Sequence, residues 1–357
     1  MSAPALHSTG VCAPAATADA VCAFRIERST RTSRVAAVIA LLLVAALVAA
    51  PWWAGRADLR LFGEVYTFLA LATLWNLLAG YTGLVSVGQQ AFVGLGGYAM
   101  FALAMFAGVP PLAAIVLAGA LGAIVALPLA PLLFRLQGAY FAIGTWVAAE
   151  VFRLGFAQVS ALGGGSGASL PAAIVTGIAA SRELREWIVY WAALGLAVGV
   201  IAFVVLLLRS RAGLALTAIR DSEVASQSLG VDITRVKYAV YVAVGGLTAM
   251  VGALIFLQKL RISPDAAFSL NDWTAFVIFI VVIGGIGTIE GPIVGTLVFF
   301  LLRETLADLG TLYLLVLGAV AIVVMLRAPN GLWGFFAART GIALVPIRRR
   351  VVIDDRR

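Results

Sequence analysis

The sequence predicts an all-α membrane protein that crosses the bilayer about ten times and contains glycine-rich helix breaks. Of its 357 residues, 62% are hydrophobic and only 12% are charged, which is more apolar surface than a water-soluble domain can bury. Apolar runs close to the roughly 20 residues that a spanning helix needs recur along the chain. Basic residues concentrate in tails and loops, where they orient the spans and contact anionic membrane lipid.

The distribution of charge and of metal-binding side chains argues against several function classes. The net charge of +8 comes from tails and loops, so it does not indicate a nucleic-acid partner. The single histidine, His7, and both cysteines, Cys12 and Cys22, fall in the N-terminal tail. We therefore expect no disulfide scaffold, no metal site and no histidine-based catalytic triad.

Both ends of the chain are expected in the cytoplasm. Residues 1–33 are rich in Ala, Ser and Thr and lack an early basic stretch followed by an apolar core, so they predict a disordered tail rather than a cleaved signal. Arginines at 25, 28, 31 and 34 precede the first span, and residues 336–357 form a second basic tail. Because Lys and Arg are enriched on the inner side, both tails are assigned there, flanking a membrane domain at residues 34–335.

The individual spans follow from the apolar runs between charged or glycine-rich segments. We expect them at residues 35–53, 61–78, 80–100, 110–134, 140–156, 187–208, 236–257, 273–283, 292–302 and 311–326. On this assignment residues 158–186 form an outer segment, and residues 262–271 form a short outer loop.

A glycine-rich stretch at residues 80–100 is the first unusual span. Glycine recurs at 80, 83, 88, 94, 96 and 97, and the polar residues nearby are Asn76, Ser86, Gln89 and Gln90. One interpretation is close helix packing through small residues, which is common in membranes. The favoured one is a broken helix beside the substrate path, because irregular backbone at membrane depth is tolerated only where it faces protein or a cavity. That interpretation places Asn76, Ser86, Gly88, Gln89 and Gln90 on the path.

A second glycine cluster, Gly284-Gly-Ile-Gly-Thr-Ile-Glu-Gly-Pro292, lies in a corresponding place in the other half of the chain. We expect it to break one apolar run into two shorter helices, with Gly291 and Gly295 forming a close-packing face. The correspondence hints at an internal repeat, and it adds Gly284, Gly285 and Gly287 to the expected substrate path.

One carboxylate falls within a mid-chain span. Glu150 is a functional candidate because ionisable groups in membranes usually are. Arg153 lies three residues later on the same helix face, so the two side chains can simply pair. The structural pair is the favoured interpretation.

Residues 209–238 form the longest internal segment rich in charge, with long apolar runs on both sides. Helix-forming residues between Gly213 and Gly230 predict one short amphipathic helix on the cytoplasmic surface. Its apolar side would carry Leu214, Ala218, Ala225 and Leu229, and its polar side Arg220, Asp221 and Glu223. Gly230 suits a helix C-cap, and Asp232 or Thr234 can cap the next helix. The segment is either a solvated basic linker or a docking helix for a soluble partner that moves the spans.

Several motifs together resemble the permease family of ABC importers for branched-chain amino acids, in its second-permease branch. They are Asn76-Leu-Leu-Ala-Gly-Tyr-Thr-Gly-Leu-Val-Ser-Val-Gly, Tyr140-Phe-Ala-Ile, Gly163-Gly-Gly-Ser-Gly, Ala218-Ile-Arg-Asp-Ser-Glu, Ile262-Ser-Pro-Asp and Gly284-Gly-Ile-Gly-Thr-Ile-Glu-Gly-Pro. The resemblance covers about residues 61–333. One departure is Gly88-Gln-Gln-Ala-Phe92, where the family often has Gly-His-Ala-Ala-Phe.

The resemblance implies a permease subunit in a bacterial inner membrane, with defined partners. These would be a second permease, two cytoplasmic ATPases and an outer solute-binding protein. The coupling segment to the ATPases would contain Ala218, Arg220, Asp221, Ser222, Glu223 and Gly230. Arg220 could offer its guanidinium to a carboxylate of the ATPase.

A non-enzymatic transport subunit for branched-chain or other hydrophobic amino acids is the function expected from these features. No Gly-x-x-x-x-Gly-Lys-Ser/Thr loop is present, so ATP would be bound by partner subunits and this chain would hold no cofactor. Related importers of urea, amides or other small solutes share the same pattern. A secondary transporter would need a buried titratable relay, for which Glu150 is the one good candidate, and an intramembrane enzyme would want catalytic groups that the spans lack.

Overall fold

A computed structural model of the chain describes residues 24–27, 31–179, 181–306, 312–340 and 350–353. Its helices, in chain order, are α1 (Arg31–Val48), α2 (Arg56–Thr82), α3 (Gln89–Phe106), α4 (Pro111–Leu133), α5 (Ala139–Ala157), α6 (Ala172–Thr176), α7 (Arg182–Arg209), α8 (Arg211–Asp221), α9 (Glu223–Ser228), α10 (Ile233–Lys259), α11 (Pro264–Ala267), α12 (Phe276–Gly284), α13 (Glu290–Thr305), α14 (Leu312–Arg327) and α15 (Gly331–Thr340). Short 3-10 turns lie at Ala50–Trp52, Ser160–Leu162 and Gly164–Ser166, and a π-helical turn at Asn271–Ala275 leads into α12.

Seven helical stretches among the described residues are long and apolar enough to cross a membrane. They are Arg56–Thr82, Gln89–Phe106, Pro111–Leu133, Arg182–Arg209, Ile233–Lys259, Pro264–Gly284 and Leu314–Thr340. The all-α membrane fold is thus confirmed, whereas the number of ten spans stays a prediction. The remaining expected spans correspond to α1, to α5 with its charged pair, and to α13, which has only 16 residues.

Four short strands form two antiparallel pairs: β1 (Phe24–Glu27) with β4 (Arg350–Ile353), and β2 (Ala168–Ser169) with β3 (Arg261–Ile262). The first pair joins the two terminal tails, with Phe24 opposite Ile353. Within the expected disordered tail at 1–33, Phe24–Glu27 is therefore a strand. The C-terminal tail also begins later than expected, because α15 runs to Thr340. His7, Cys12 and Cys22 lie outside the described residues.

The core is centred on α10, which packs closely against α3 and α4. A Cβ on Gly96 of α3 would overlap the carbonyl oxygen of Ala249, and one on Gly252 of α10 would overlap that of Val93. Backbones approach so closely only where small residues remove the side-chain layer between the helices. Gly94, Gly96 and Gly97 thus lie in a regular helix and serve close packing, and the helix is not broken at those positions.

The two ends of the bundle differ in character. At one end, α7 turns into α8 and α9, and α10 begins; we call α8 and α9 together the connector, and this end the connector end. At the opposite end Arg60 donates to the Glu186 carboxylate at 3.2 Å, and Arg303 donates to Glu64 at 2.9 Å. A charged cavity opens there, so we call it the cavity end.

Candidate functional site

The connector consists of two helices rather than the single helix expected. Ser222 is extended (φ −164°, ψ 116°) and separates α8 from α9. Its Oγ accepts a hydrogen bond from the Ala225 amide at 3.2 Å, which makes Ser222 the N-cap of α9. A serine at this position competes with the helix for backbone hydrogen bonds, and this accounts for the break. Gly230 (φ +82°) follows α9, and the Asp232 side chain caps α10, as the sequence predicts.

The break changes which side of the connector is apolar. α8 buries Gly213, Leu216 and Ile219 against the bundle. The expected apolar stripe is wrong, since it needed one continuous helix: Leu214 is 48% exposed and Leu229 is 81% exposed. Val224 of α9 is 78% exposed as well. The connector therefore presents exposed apolar side chains away from the bundle.

Arg220 is directed toward the bundle. Its guanidinium carbon lies 5.7 Å from the centroid of the Tyr81 ring, a cation–π distance, and its side chain is 30% exposed. Its Nη2 and Nε also donate to Asp221 Oδ1, each at 3.3 Å. A Cβ on Gly287 would lie 3.8 Å from Nη1 of Arg220. We expected the guanidinium of Arg220 to bind a carboxylate of a partner, and this inward orientation does not fit that role.

A small cleft beneath Arg220 brings the connector and both glycine-rich breaks together. It has a volume of about 530 Å³, and we call it the connector cleft. Its lining residues are Ala79, Gly80, Thr82, Gly83, Ile219, Arg220, Glu223, Ile286 and Gly287. Glu223 also connects to α10, since Lys237 Nζ lies 2.5 Å from Glu223 Oε1. The connector is thus attached to α2, to the second break and to α10.

The first break lies at residues 83–88, where the chain leaves the helix. Gly83 has φ +72°, a conformation that other residues rarely adopt, and α2 ends there. The following residues run back along α2, because Trp75 Nε1 donates to the Ser86 carbonyl at 2.8 Å and Gln89 Nε2 to the Leu71 carbonyl at 3.0 Å. Leu71 precedes the end of α2 by about three turns, so α3 begins well inside the bundle. The predicted helix break is confirmed here.

The polar residues beside this break form hydrogen bonds to the protein itself. Asn76 donates to the Thr288 carbonyl at 2.7 Å and accepts from the Gly287 amide at 2.8 Å. Gln90 accepts a hydrogen bond from the Thr274 hydroxyl, and Ser86 Oγ accepts from the Gly88 amide at 3.2 Å. Each of Asn76, Ser86, Gln89 and Gln90 is at most 5% exposed. In this conformation Asn76, Gln89 and Gln90 join different segments, while the Ser86 hydroxyl bonds only within the first break and Gln89 Oε1 has no hydrogen-bond partner among the described residues. Their place on a substrate path stays a prediction.

The glycines of both breaks allow backbones to touch. A Cβ on Gly88 would overlap the Thr145 carbonyl oxygen of α5, and one on Gly80, in the last turn of α2 before the first break, would lie 2.6 Å from the Gly287 amide nitrogen. In the second break Gly285 (φ +128°) and Gly287 (φ +73°) separate α12 from α13. The expected two shorter helices are therefore present.

The α12–α13 packing face is confirmed as well. A Cβ on Gly284 would overlap the Gly291 carbonyl oxygen, and one on Gly295 that of Ile280.

The pairing of Glu150 with Arg153 is also confirmed. Arg153 Nη2 lies 2.6 Å from Glu150 Oε1, and its Nη1 lies 2.7 Å from Asp265 Oδ1 in α11. The arginine thus joins α5 to the turn that precedes α12. A carboxylate so engaged fits a structural role better than a proton relay.

Sequence reasoning missed the charged cavity at the cavity end. It has a volume of about 670 Å³ and lies among α2, α7, α10, α12 and α13. Its lining residues include Arg56, Arg60, Glu64, Arg182, Arg185, Glu186, Lys259, Asp272, Trp273 and Arg303. Each of these charged residues lies near the end of a helix, and that position is the one feature of the sequence that could have indicated the cavity. No group of three or more His, Cys, Asp or Glu side chains in the described part of the chain could hold a metal ion.

Comparisons with known proteins agree on one family. The family model described as "Branched-chain amino acid transport system / permease component" matches residues 57–325. Two curated relatives, the high-affinity branched-chain amino acid transport system permease proteins LivM of Salmonella typhimurium and of Escherichia coli, are each 28% identical over 319 residues, covering 82% of this chain and 74% of theirs. A probable LivM permease of Methanocaldococcus jannaschii is 30% identical over 126 residues, which is 35% of this chain and 36% of its own. No solved structure matches.

Proposed function

The chain belongs to the family of branched-chain amino acid transport permeases, and on that basis we propose that it is the transmembrane permease subunit of an ATP-driven importer for branched-chain or other hydrophobic amino acids. The family consists of integral inner-membrane proteins that act with other subunits of a transport system, and it is a family of permeases, not of enzymes. The partners in this proposal are a second permease, two cytoplasmic ATPases and a solute-binding protein outside. ATP is bound by the ATPases, so this chain carries no cofactor.

The contact of Arg220 with the two helix breaks supports the proposal most strongly. A linker without a coupling role needs no contact with the helices' interior breaks. Here one side chain of the connector lies over Tyr81 at the end of α2 and beside Gly287 of the second break. Movement of the connector would therefore be passed to both breaks at once, and through Glu223 and Lys237 to α10.

In the proposed mechanism, movement of the connector changes the backbone at the two helix breaks. Closure of the ATPases on ATP pushes the connector, whose exposed Val224 and Leu229 lie on the outward side. Arg220 then displaces the backbone around Gly80 and Gly287, where two segments touch without intervening side chains. Because glycine backbones can change direction at low steric cost, these breaks act as the hinges between outward-open and inward-open arrangements.

The proposed orientation places the connector and both termini in the cytoplasm. The basic residues around the connector, Arg209, Arg211, Arg235 and Lys237, support it, because inner loops are enriched in Lys and Arg. Pairing of β1 with β4 requires the two tails to lie on the same side of the membrane. The charged cavity then opens toward the outside, where a solute-binding protein delivers its ligand.

Transport by the reconstituted complex tests the proposal. Proteoliposomes containing the chain, the second permease and the ATPases would be supplied with the solute-binding protein and radiolabelled leucine. We expect uptake that requires ATP on the connector side and that ionophores leave unchanged. Uptake without ATP that ionophores abolish would instead identify a secondary transporter, and uptake of urea or amides in place of leucine would move the chain to a related importer.

A further inference from the structure

The charged cavity has the shape and the chemistry of a small-molecule site. Its volume of about 670 Å³ lies in the range of about 300–1,000 Å³ that is usual for such sites. It is lined by six cationic and three anionic side chains, so it carries a positive excess. Its base is apolar: Leu59, Phe68 and Trp273 are each at most 7% exposed, and the centroids of the Phe68 and Trp273 rings are 5.9 Å apart.

Most of the charges around the cavity are already paired. Glu186 lies 3.2 Å from Arg60, 3.3 Å from Arg182 and 3.7 Å from Arg56. Arg303 lies 2.9 Å from Glu64. These pairs hold α2 to α7 and to α13, and they form a rim whose hydrogen-bonding capacity is largely used within the protein.

Lys259 and Asp272 differ from the rim. Within the described residues neither makes an ion pair, a property that they share with Arg185 among the charges around the cavity. Lys259 Nζ lies 4.7 Å from the centroid of the Trp273 ring, and Asp272 is the residue next to that tryptophan. An ammonium and a carboxylate that attract each other without forming an ion pair therefore border the same aromatic surface of the cavity. Charges of both signs beside an apolar wall match a zwitterion that carries an apolar side chain.

We propose that this cavity is a binding site for an α-amino acid with an apolar side chain. The amino acid would occupy it on the way in, before it arrives at the helix breaks. Lys259 binds the α-carboxylate, Asp272 binds the α-ammonium, and Trp273, Phe68 and Phe276 contact the side chain. The assignment deepens the proposed function and rests on it, because it takes the cavity as the outer entrance of an amino-acid importer.

Direct ligand binding to the assembled transporter tests this site. The complex, in lipid nanodiscs without ATP and without the solute-binding protein, would be titrated with leucine, with leucinamide, which lacks the carboxylate, and with 4-methylpentanoate, which lacks the ammonium. We expect leucine to bind at least about tenfold more tightly than either analogue, since each removes one charge-assisted contact. Equal binding of the three ligands, or no binding of leucine, would overturn the assignment.

Matched variants tie the preference to named side chains. Lys259→Gln should abolish the preference for leucine over leucinamide while the preference over 4-methylpentanoate remains, and Asp272→Asn should do the reverse. Lys259→Arg keeps the charge and should keep both preferences. Arg135→Gln removes an exposed cation from the α4–α5 turn, far from the cavity, and should change neither. If both Lys259→Gln and Asp272→Asn retain the wild-type preferences, the cavity does not hold the ligand.

Uptake measured on the same preparations separates the two proposals. If wild type shows ATP-driven leucine uptake and both variants keep the wild-type ligand preferences, the proposed binding site is wrong and the importer function stands. If the Lys259 and Asp272 variants lose their ligand preferences but wild type shows no ATP-driven uptake, the importer function is wrong and the binding site stands. Where a variant fails to assemble, the other substitution and Lys259→Arg still decide the outcome, because each tests a different contact.

Discussion

At the scale of single residues, Arg220 and Asn76 connect parts of the chain that are distant in sequence. Arg220 brings the connector to Tyr81 of α2, and Asn76 joins α2 to the second break through Thr288 and Gly287. Both side chains lie beside Gly287, which lines the connector cleft. Their removal should have different effects, since one lies at the surface of the bundle and the other is buried.

Replacing Arg220 with Met keeps the length of the side chain and removes its charge. We expect leucine uptake and substrate-stimulated ATP hydrolysis to fall about tenfold, within the usual size of coupling between sites. The ATPase should still co-purify, because Arg220 faces the bundle rather than the partner. Arg209→Met, at the exposed end of α7, is the control and should leave uptake near wild type. Loss of the ATPase from Arg220→Met alone would show that this arginine docks the partner directly.

Replacing Asn76 with Ala removes both hydrogen bonds that α2 makes to the second break. The Thr288 carbonyl and the Gly287 amide then lack these bonds, and a buried unsatisfied group costs about 1–3 kcal/mol. We expect a clearly lower thermal midpoint in detergent and weak uptake. Thr73→Val on the same helix removes only a bond to the Leu69 carbonyl, one turn away, and should have the smaller effect. Equal midpoints for the two variants would contradict a holding role for Asn76.

At the scale of elements, glycine has two distinct uses in this fold. Within α3, α4 and α10 it removes side chains so that straight helices pack closely, as at Gly96 and Gly252. At Gly83, Gly285 and Gly287 it supplies positive φ angles where helices end. Gly88 combines close contact with a helix start, since it precedes α3 and touches the backbone of α5.

Gly88→Ala should therefore destabilise the protein through packing alone. The added Cβ overlaps the Thr145 carbonyl oxygen, so α3 and α5 must separate. Forcing an extra carbon into a packed interior costs about 1–3 kcal/mol. We expect a lower thermal midpoint and reduced uptake. Gly155→Ala in α5 adds the same atom where nothing lies within 4 Å, and it should be neutral or slightly stabilising. A stable Gly88→Ala protein that fails only in transport would instead place Gly88 on the substrate path.

The outward side of the connector should dock the ATPase through its exposed apolar residues. Val224→Asp and Leu229→Asp place a charge where an interface would exclude water, and each should weaken co-purification of the ATPase about tenfold or more. Both residues are over three-quarters exposed, so insertion and thermal stability should not change. Gln227→Asp introduces the same charge at an exposed polar position of α9 and serves as the control. Equal retention of the ATPase in all three variants would remove the docking role.

At the scale of the whole molecule, the two ends of the bundle carry different groups. The connector end gathers the breaks and the connector, while the cavity end carries the network around Glu186 and the charged cavity. This polarity fits the proposed importer, in which solute enters on one side and ATP is hydrolysed on the other.

Reporter fusions after Phe24 and after Arg339 test that orientation. Both should report the cytoplasm, because the arginine-rich flanks stay inside and the tails are paired. A fusion after Ser263, in the turn after β3, should report the outside. A periplasmic signal from either terminal fusion would require an odd number of spans or an inverted bundle.

The sequence alone determined the features that depend on local composition. Long apolar runs dictate membrane helices, glycine clusters mark where those helices break, and Gly230 and Asp232 act as caps because capping needs only neighbouring backbone groups. The Glu150–Arg153 pair was predictable for the same reason, since three residues place two side chains on one helix face. The split of the connector at Ser222 was missed because helix propensity does not reveal a single competing side-chain hydrogen bond.

Only the tertiary structure decided where the polar groups point. Asn76 and Thr288 are 212 residues apart, Gln90 and Thr274 are 184 apart, and no periodicity links them. The inward direction of Arg220 depends on Tyr81 and Gly287 lying beneath the connector. The charged cavity likewise exists because the ends of α2, α7, α10, α12 and α13 meet in space. Local sequence sets the free energy of each helix, but the distances between helices follow from how all of them pack together.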